Sequence, residues 1–221
     1  MSEWWTYRPS DFLLFSPRTY YRLFALYNAD VWPGHVLALA LGIALWVALW
    51  QRRTWAPRAA CALLGVAWLW VAWVFHWQRF ASINWAATWF AAAFALQGLC
   101  LGLAALGTAG RNAAPHLRSQ QLGLALLLFA LVLHPALGPL LGRPWQQAEV
   151  FGLAPDPTVL GTLGVLLLLP PRAARWWLWP LPLLWSAVSG TTLATMQAAD
   201  ALVLPAAALV ALATRRRERV T

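Results

Sequence analysis

Polar residues interrupt this chain at intervals and leave seven apolar stretches that are bare or nearly bare of charge: Pro33–Trp50, Ala59–Phe75, Trp85–Ala109, Ser119–Gly142, Thr158–Pro171, Trp176–Thr195 and Asp200–Thr214. A membrane-spanning helix needs about 20 predominantly apolar residues. The fifth and seventh stretches fall short of that. As helices they rise only about 21 Å, against a hydrocarbon core of roughly 30 Å. Each therefore reads as a short span or as a re-entrant half-helix. The expected fold class is all-α: a polytopic transmembrane helix bundle of about seven spans.

The first 31 residues follow a different pattern. Ser16-Pro17 has the form of an N-cap followed by proline at the first helical position. On the helix this predicts, Tyr20, Leu23, Phe24 and Tyr27 share one face and Arg18 and Arg22 lie opposite. Such a helix lies in the membrane interface and does not cross it. Glu3, Arg8, Asp11, Arg18, Arg22 and Asp30 break up this region, and no apolar core with a cleavage site follows, so no cleavable signal peptide is expected. The chain divides into an outer-face amphipathic segment (1–31), a seven-helix transmembrane domain (32–214) and a cytoplasmic Arg-rich tail (215–221).

Composition fixes the solvent. Hydrophobic residues make up 61% of the chain and charged residues 10%, where a soluble domain carries roughly 25% charged residues. A soluble fold of this size hides only about 70% of the surface its unfolded chain exposes, so the bilayer has to cover the remainder. The net charge is +9, and every cation is Arg, with no Lys. The Arg residues sit in short clusters between apolar runs. That is a membrane-topology pattern and not a nucleic-acid-binding one. With the N-terminus outside and seven crossings, Arg52, Arg53, Arg58, Arg111, Arg118, Arg172, Arg175, Arg215, Arg216, Arg217 and Arg219 are cytoplasmic. Arg8, Arg18, Arg22, Arg79 and Arg143 stay outside. If the fifth stretch failed to cross, this bias would invert, against the positive-inside rule. Many of the 17 Trp residues sit at stretch ends, as interfacial anchors do. Gly98-x-x-x-Gly102 and Gly138-x-x-x-Gly142 have the spacing of close helix contacts.

Candidate chemistry gathers on the expected outer side, which holds every acid except Glu218 and three of the four histidines. A polar site built from His76, Arg79, His134 and Asp200 would suit an ion or small solute. A metal site would draw on His35, His76, His134 and Asp156, because imidazole and carboxylate suit several divalent ions. No two of these histidines have close ligand spacing, so convergence would have to come from the fold. His134-Pro135 places an ionisable group at a helix break. Gln97, Ser186, Ser189, Thr191, Thr192 and Thr195 are expected to hydrogen-bond between helices. Cys61 and Cys100 stand outside any CxxC and read as small buried hydrophobes. No P-loop or HExxH is present, a retinal Schiff base would need a Lys, and no enzymatic motif is found. The sequence identifies no cofactor.

The stretches Met1–Tyr21 (MSEWWTYRPSDFLLFSPRTYY) and Ala72–Ala87 (AWVFHWQRFASINWAA) resemble an uncharacterised family of small bacterial multi-pass integral membrane proteins, a domain of unknown function. The resemblance implies a bacterial inner-membrane protein and carries no catalytic residue. Three functions follow as expectations. The first is a small ion or solute transporter or channel with an outward-facing polar site. The second is a non-catalytic accessory or assembly subunit of a larger membrane complex. The third is a membrane metal-handling or redox protein. The expected partners are the lipid bilayer and either further copies of the chain or a larger membrane complex.

Overall fold

The computed structural model describes residues 14–107, 116–169 and 176–220, with side chains in the last helix described as far as Arg216. Glu3, Arg8, Asp11, Arg111, Arg172, Arg175 and the start of the family-like N-terminal stretch lie outside the described residues. The same is true of the side chains of Arg217, Glu218 and Arg219.

Helix α1 (Pro17–Val31) starts as the sequence predicts, with the Ser16 hydroxyl accepting a hydrogen bond from Thr19 N at 3.2 Å and Pro17 in the first turn. Tyr20, Leu23, Phe24 and Tyr27 are its buried face, while Arg18 and Arg22 are exposed. The chain then bends by 87° into α2 (Gly34–Trp50). This is the geometry of a helix lying across the end of a bundle.

Helix α3 (Ala56–Trp70) runs on as a π-helix over Val71–Trp77, and α4 is Ala87–Leu106. Next comes one continuous helix in three parts: α5 (Leu117–Leu128), a π-helical segment (Phe129–Leu133) and α6 (His134–Leu140). The widened turn has a local cause. Pro135 has no N–H and its ring would clash with the carbonyl one turn earlier, so the backbone opens just ahead of it. Helices α7 (Pro155–Leu168), α8 (Pro180–Thr195) and α9 (Val203–Val220) complete the chain. No strand occurs among the described residues.

Each of the seven apolar stretches contains a helix among its described residues, but length divides them. Ala56–Ser82, Ala87–Leu106 and Leu117–Leu140 are long and apolar enough to cross a membrane, and α1 with α2 would make a fourth if taken as one bent span. Helices α2, α7 and α8, at 17, 14 and 16 residues, are shorter.

Helix α7 is the most enclosed of them. All of its residues are buried, enclosed by α3, α5, α8 and α9. A helix apolar on every side belongs in such a place. Its contact with α5 is backbone to backbone: a Cβ on Gly164 would lie 2.7 Å from Gly123 O, and one on Gly123 2.7 Å from Gly164 O. The two GxxxG pairs differ. Gly98 and Gly102 both lie against α3 as expected: a Cβ on Gly65 would be 3.1 Å from Gly98 O and 3.2 Å from Gly102 N, although a Cβ on Gly102 itself would touch nothing within 4 Å. Gly142 is not a helix contact at all. It turns the chain after α6 with φ +86°.

Gly164→Ala is therefore expected to destabilise the detergent-solubilised protein by about 1–3 kcal/mol, as overpacking does. Gly102→Ala should be neutral or slightly stabilising, through helix propensity. Thermal unfolding of the two variants side by side checks this. Equal midpoints would contradict the α5–α7 contact as described.

Candidate functional site

The polar core of the molecule lies at the end of the bundle that α1 covers. Three chain segments deliver it. The first is the turn after α6. Gly142 reverses the chain, Arg143 N bonds Gly138 O at 2.9 Å, and the guanidinium fits beside Gly138, where a Cβ would lie 3.3 Å from Nε. The second is the α8–α9 turn, which presents Asp200. Arg143 and Asp200 form an ion pair whose side chains are only 17% and 12% exposed. The guanidinium also sits 4.4 Å from the Tyr21 ring centroid, a cation–π contact from α1.

The third segment is the start of α7. Pro155 and Pro157 bracket Asp156, and neither offers an N–H to its carboxylate. The donors come from α8 instead. Trp185 Nε1 donates to Asp156 Oδ1 at 2.8 Å and Ser189 Oγ to Oδ2 at 2.5 Å, with all three side chains buried. Charge-assisted bonds of this kind are the stronger class.

Between these groups lies Glu149, 8% exposed, whose Oε2 has no hydrogen-bond partner. Burial first, and then the neighbouring Asp156 carboxylate, pushes the Glu149 carboxyl well above the usual carboxylate range, with Arg143 working against them.

Helix α1 clips this segment in place. Asn28 Nδ2 donates to the carbonyls of Gln146 and Ala148, both at 2.8 Å, and Tyr27 OH donates to Leu153 O at 2.8 Å. Trp70 Nε1 in turn donates to Tyr27 OH at 2.9 Å.

The sequence-predicted residues separate into different places. His134 and Asp200 come together: the His134 ring faces the Glu149 backbone within electrostatic reach of Asp200 and Arg143. Asp156, expected as a metal ligand, joins the same cluster. His35 instead bonds Asn28 Oδ1 at 3.1 Å and belongs to the α1 clip. Arg79 pairs with Asp30 at 2.6 Å, with both side chains well exposed. His76 is fully buried in a nest of aromatic rings, with Phe94 at 4.5 Å and Trp185 at 5.0 Å, and neither ring nitrogen has a hydrogen-bond partner. Among the described residues, no three His, Cys, Asp or Glu side chains come together to hold a metal ion. The four-residue set His76, Arg79, His134 and Asp200 is likewise not assembled. The physical reason lies in the hairpin after α3, which turns His76 into the core and Arg79 to the surface.

Of the groups expected to bond between helices, Ser189 reaches Asp156 of α7 and Gln97 Nε2 donates to Leu178 O at 3.0 Å, while Ser186, Thr191, Thr192 and Thr195 bond carbonyls of their own helix. Sequence reasoning missed Arg143 and Glu149, which read as loop charges, and Trp185, which read as one Trp among many. No local signal marked these three; the acid between two prolines at the head of an apolar run is Asp156, already a candidate from the sequence.

The chain belongs to the family of unknown function DUF6064, whose pattern it matches over residues 18–221. No curated protein and no solved structure matches it.

The two ion pairs predict opposite outcomes. Arg143→Met leaves a buried carboxylate uncompensated and should cost about 3–5 kcal/mol. Arg79→Met removes an exposed pair and should cost less than about 1 kcal/mol. Denaturation in mild detergent reads the difference. Similar losses from both would place Arg143 at the surface.

A second expectation concerns pH. The Glu149 carboxyl holds its proton more tightly folded than unfolded, where its pKa is about 4.3. Its contribution therefore favours the fold below that value and is lost as pH rises through the raised folded value. The wild-type melting midpoint should fall towards alkaline pH, with a shallower slope and a higher alkaline midpoint in Glu149→Gln. Identical slopes would remove Glu149 as the source.

Proposed function

We propose that this member of the family is a bacterial inner-membrane carrier of a small ion or solute, with Glu149, Asp156, Arg143, Asp200 and His134 as its outward-facing polar site. One observation carries the reading. Helix α7, at 14 residues, is shorter than a usual span, is enclosed by protein on all sides, and places a buried carboxylate in its first turn, inside the bundle. Discontinuous or half-length helices that end on a charged site are how membrane carriers bring fixed charge to a solute. Ionisable groups kept inside a membrane protein are costly and mark such pathways.

In this reading α2, α3, α4, α5–α6, α7, α8 and α9 supply seven crossings. The short ones are tolerated because protein surrounds them. The Arg distribution favours the α1 end outside and the Arg-rich end of α9 in the cytoplasm, with α1 lying on the outer interface over the site.

The test is flux through the purified full chain in liposomes, with Na⁺, K⁺, NH₄⁺, Cl⁻ and phosphate as probes. Transport of at least one probe above protein-free liposomes is expected. It should fall at least tenfold in Asp156→Asn and be retained in Arg79→Met. Folded protein that moves none of these probes, and that leaves the membrane with a stoichiometric partner, would overturn the carrier reading in favour of an accessory subunit.

A further inference from the structure

We infer that Glu149 is a proton-binding site, kept neutral beside the fixed anion Asp156, and that H⁺ is the ion coupled at this cluster. The coupling half of the inference rests on the carrier reading.

The argument is one of donors and charges. Two buried carboxylates that share a site do not both ionise at neutral pH. The structure distinguishes them by what each oxygen touches. Both Asp156 oxygens receive a donor, one from Trp185 and one from Ser189. Asp156 also stands in the first turn of α7, where the helix end is positive. That is an anion's environment. Glu149 Oε2 is buried with no donor. An ionised oxygen there would lack both water and a hydrogen bond, whereas a protonated carboxyl loses far less.

Among the described residues around Glu149, the arginine is already engaged. Facing Glu149 are Tyr20 and Tyr21 from α1, Arg143 from the turn after α6, His134 from α6, Asp156 from α7 and Asp200 from the α8–α9 turn. Arg143 is committed to Asp200. Burial and the Asp156 charge both favour the protonated form of Glu149.

An open groove of about 610 Å³ lies between the start of α1 (Leu14, Phe15, Ser16, Pro17) and the end of α8 (Thr195, Met196, Gln197), three residues along the chain from Tyr20 and from Asp200. Release of the proton to water leaves three carboxylates, Glu149, Asp156 and Asp200, beside one arginine, Arg143. That charge imbalance draws in a proton or a cationic solute, which is the exchange that coupled transport needs.

The experiment has two readouts on the full-length protein. Infrared spectroscopy in detergent at pH 7 should show the C=O stretch of a protonated carboxyl. The band should shift in D₂O, be lost in Glu149→Gln and be kept in Glu149→Asp. In Asp156→Asn, which leaves Glu149 intact, its titration midpoint should move to lower pH. In proteoliposomes on a solid-supported membrane, a pH jump should evoke a charge displacement that falls at least tenfold in Glu149→Gln. A wild-type protein with Glu149 ionised at pH 7 would overturn the site, whatever the liposomes show. A protonated band with no proton-evoked charge would make the proton a resident one and overturn the coupling. Na⁺-evoked current without a proton response would also overturn the coupling while leaving the carrier reading intact. Failure of every flux probe removes the carrier reading and the coupling with it, and the infrared result still decides the site independently.

Discussion

The tie between Asp156 and α8 is the constraint on which the rest of this structure depends. Helix α7 is apolar on every side, and apolar packing has no direction of its own. A featureless apolar cylinder inside a bundle would have no preferred depth or rotation. Three contacts supply them. Trp185 and Ser189 hold its first turn through Asp156, Trp68 donates to Thr162 Oγ1 at 2.8 Å, and Gly164 meets Gly123 at backbone distance. Each of these contacts faces a different helix: α8, α3 and α5. Together they fix α7 as the axis and let α3, α5, α8 and α9 be placed against it.

That placement also explains why the polar groups collect at one end. A carboxylate at the head of α7 needs donors and company in a region without water. The loop leading into α7 has to stay close to it, and that loop carries Glu149. Arg143 then sits where it answers Asp200 and faces Tyr21. Most of this polar core is held by single, specific contacts, so the unpartnered Oε2 of Glu149 stands out.

The helices were largely legible in the sequence, and the site was only half legible. Apolar run length located every helix from α2 to α9, and the Ser16-Pro17 cap with the Tyr20, Leu23, Phe24 and Tyr27 stripe gave α1 its start and its buried face. These are local signals. The site depends on contacts between distant segments: Asn28 bonds carbonyls 118 and 120 residues away, and Tyr27 one 126 away. Nothing near Glu149 in the sequence says that α1 will fold over it and take it out of water. His76 and Arg79 lie three residues apart yet end in opposite environments, because the hairpin after α3 separates them. The glycine pairs show the same limit. Spacing identified the contact of Gly98 and Gly102 with α3 but could not tell that pair from Gly138 and Gly142, where Gly142 makes a turn.

The clipped α1 helix also bears on how the molecule is assembled. Its aromatic face can meet Phe75 and Phe80 once the first hairpin has formed, with Phe24 5.0 Å from Phe75 and Tyr20 5.9 Å from Phe80. The carbonyls that Asn28 and Tyr27 grip emerge from the ribosome more than a hundred residues after them. The full set of contacts that holds α1 can therefore close only after the segment it covers has been made.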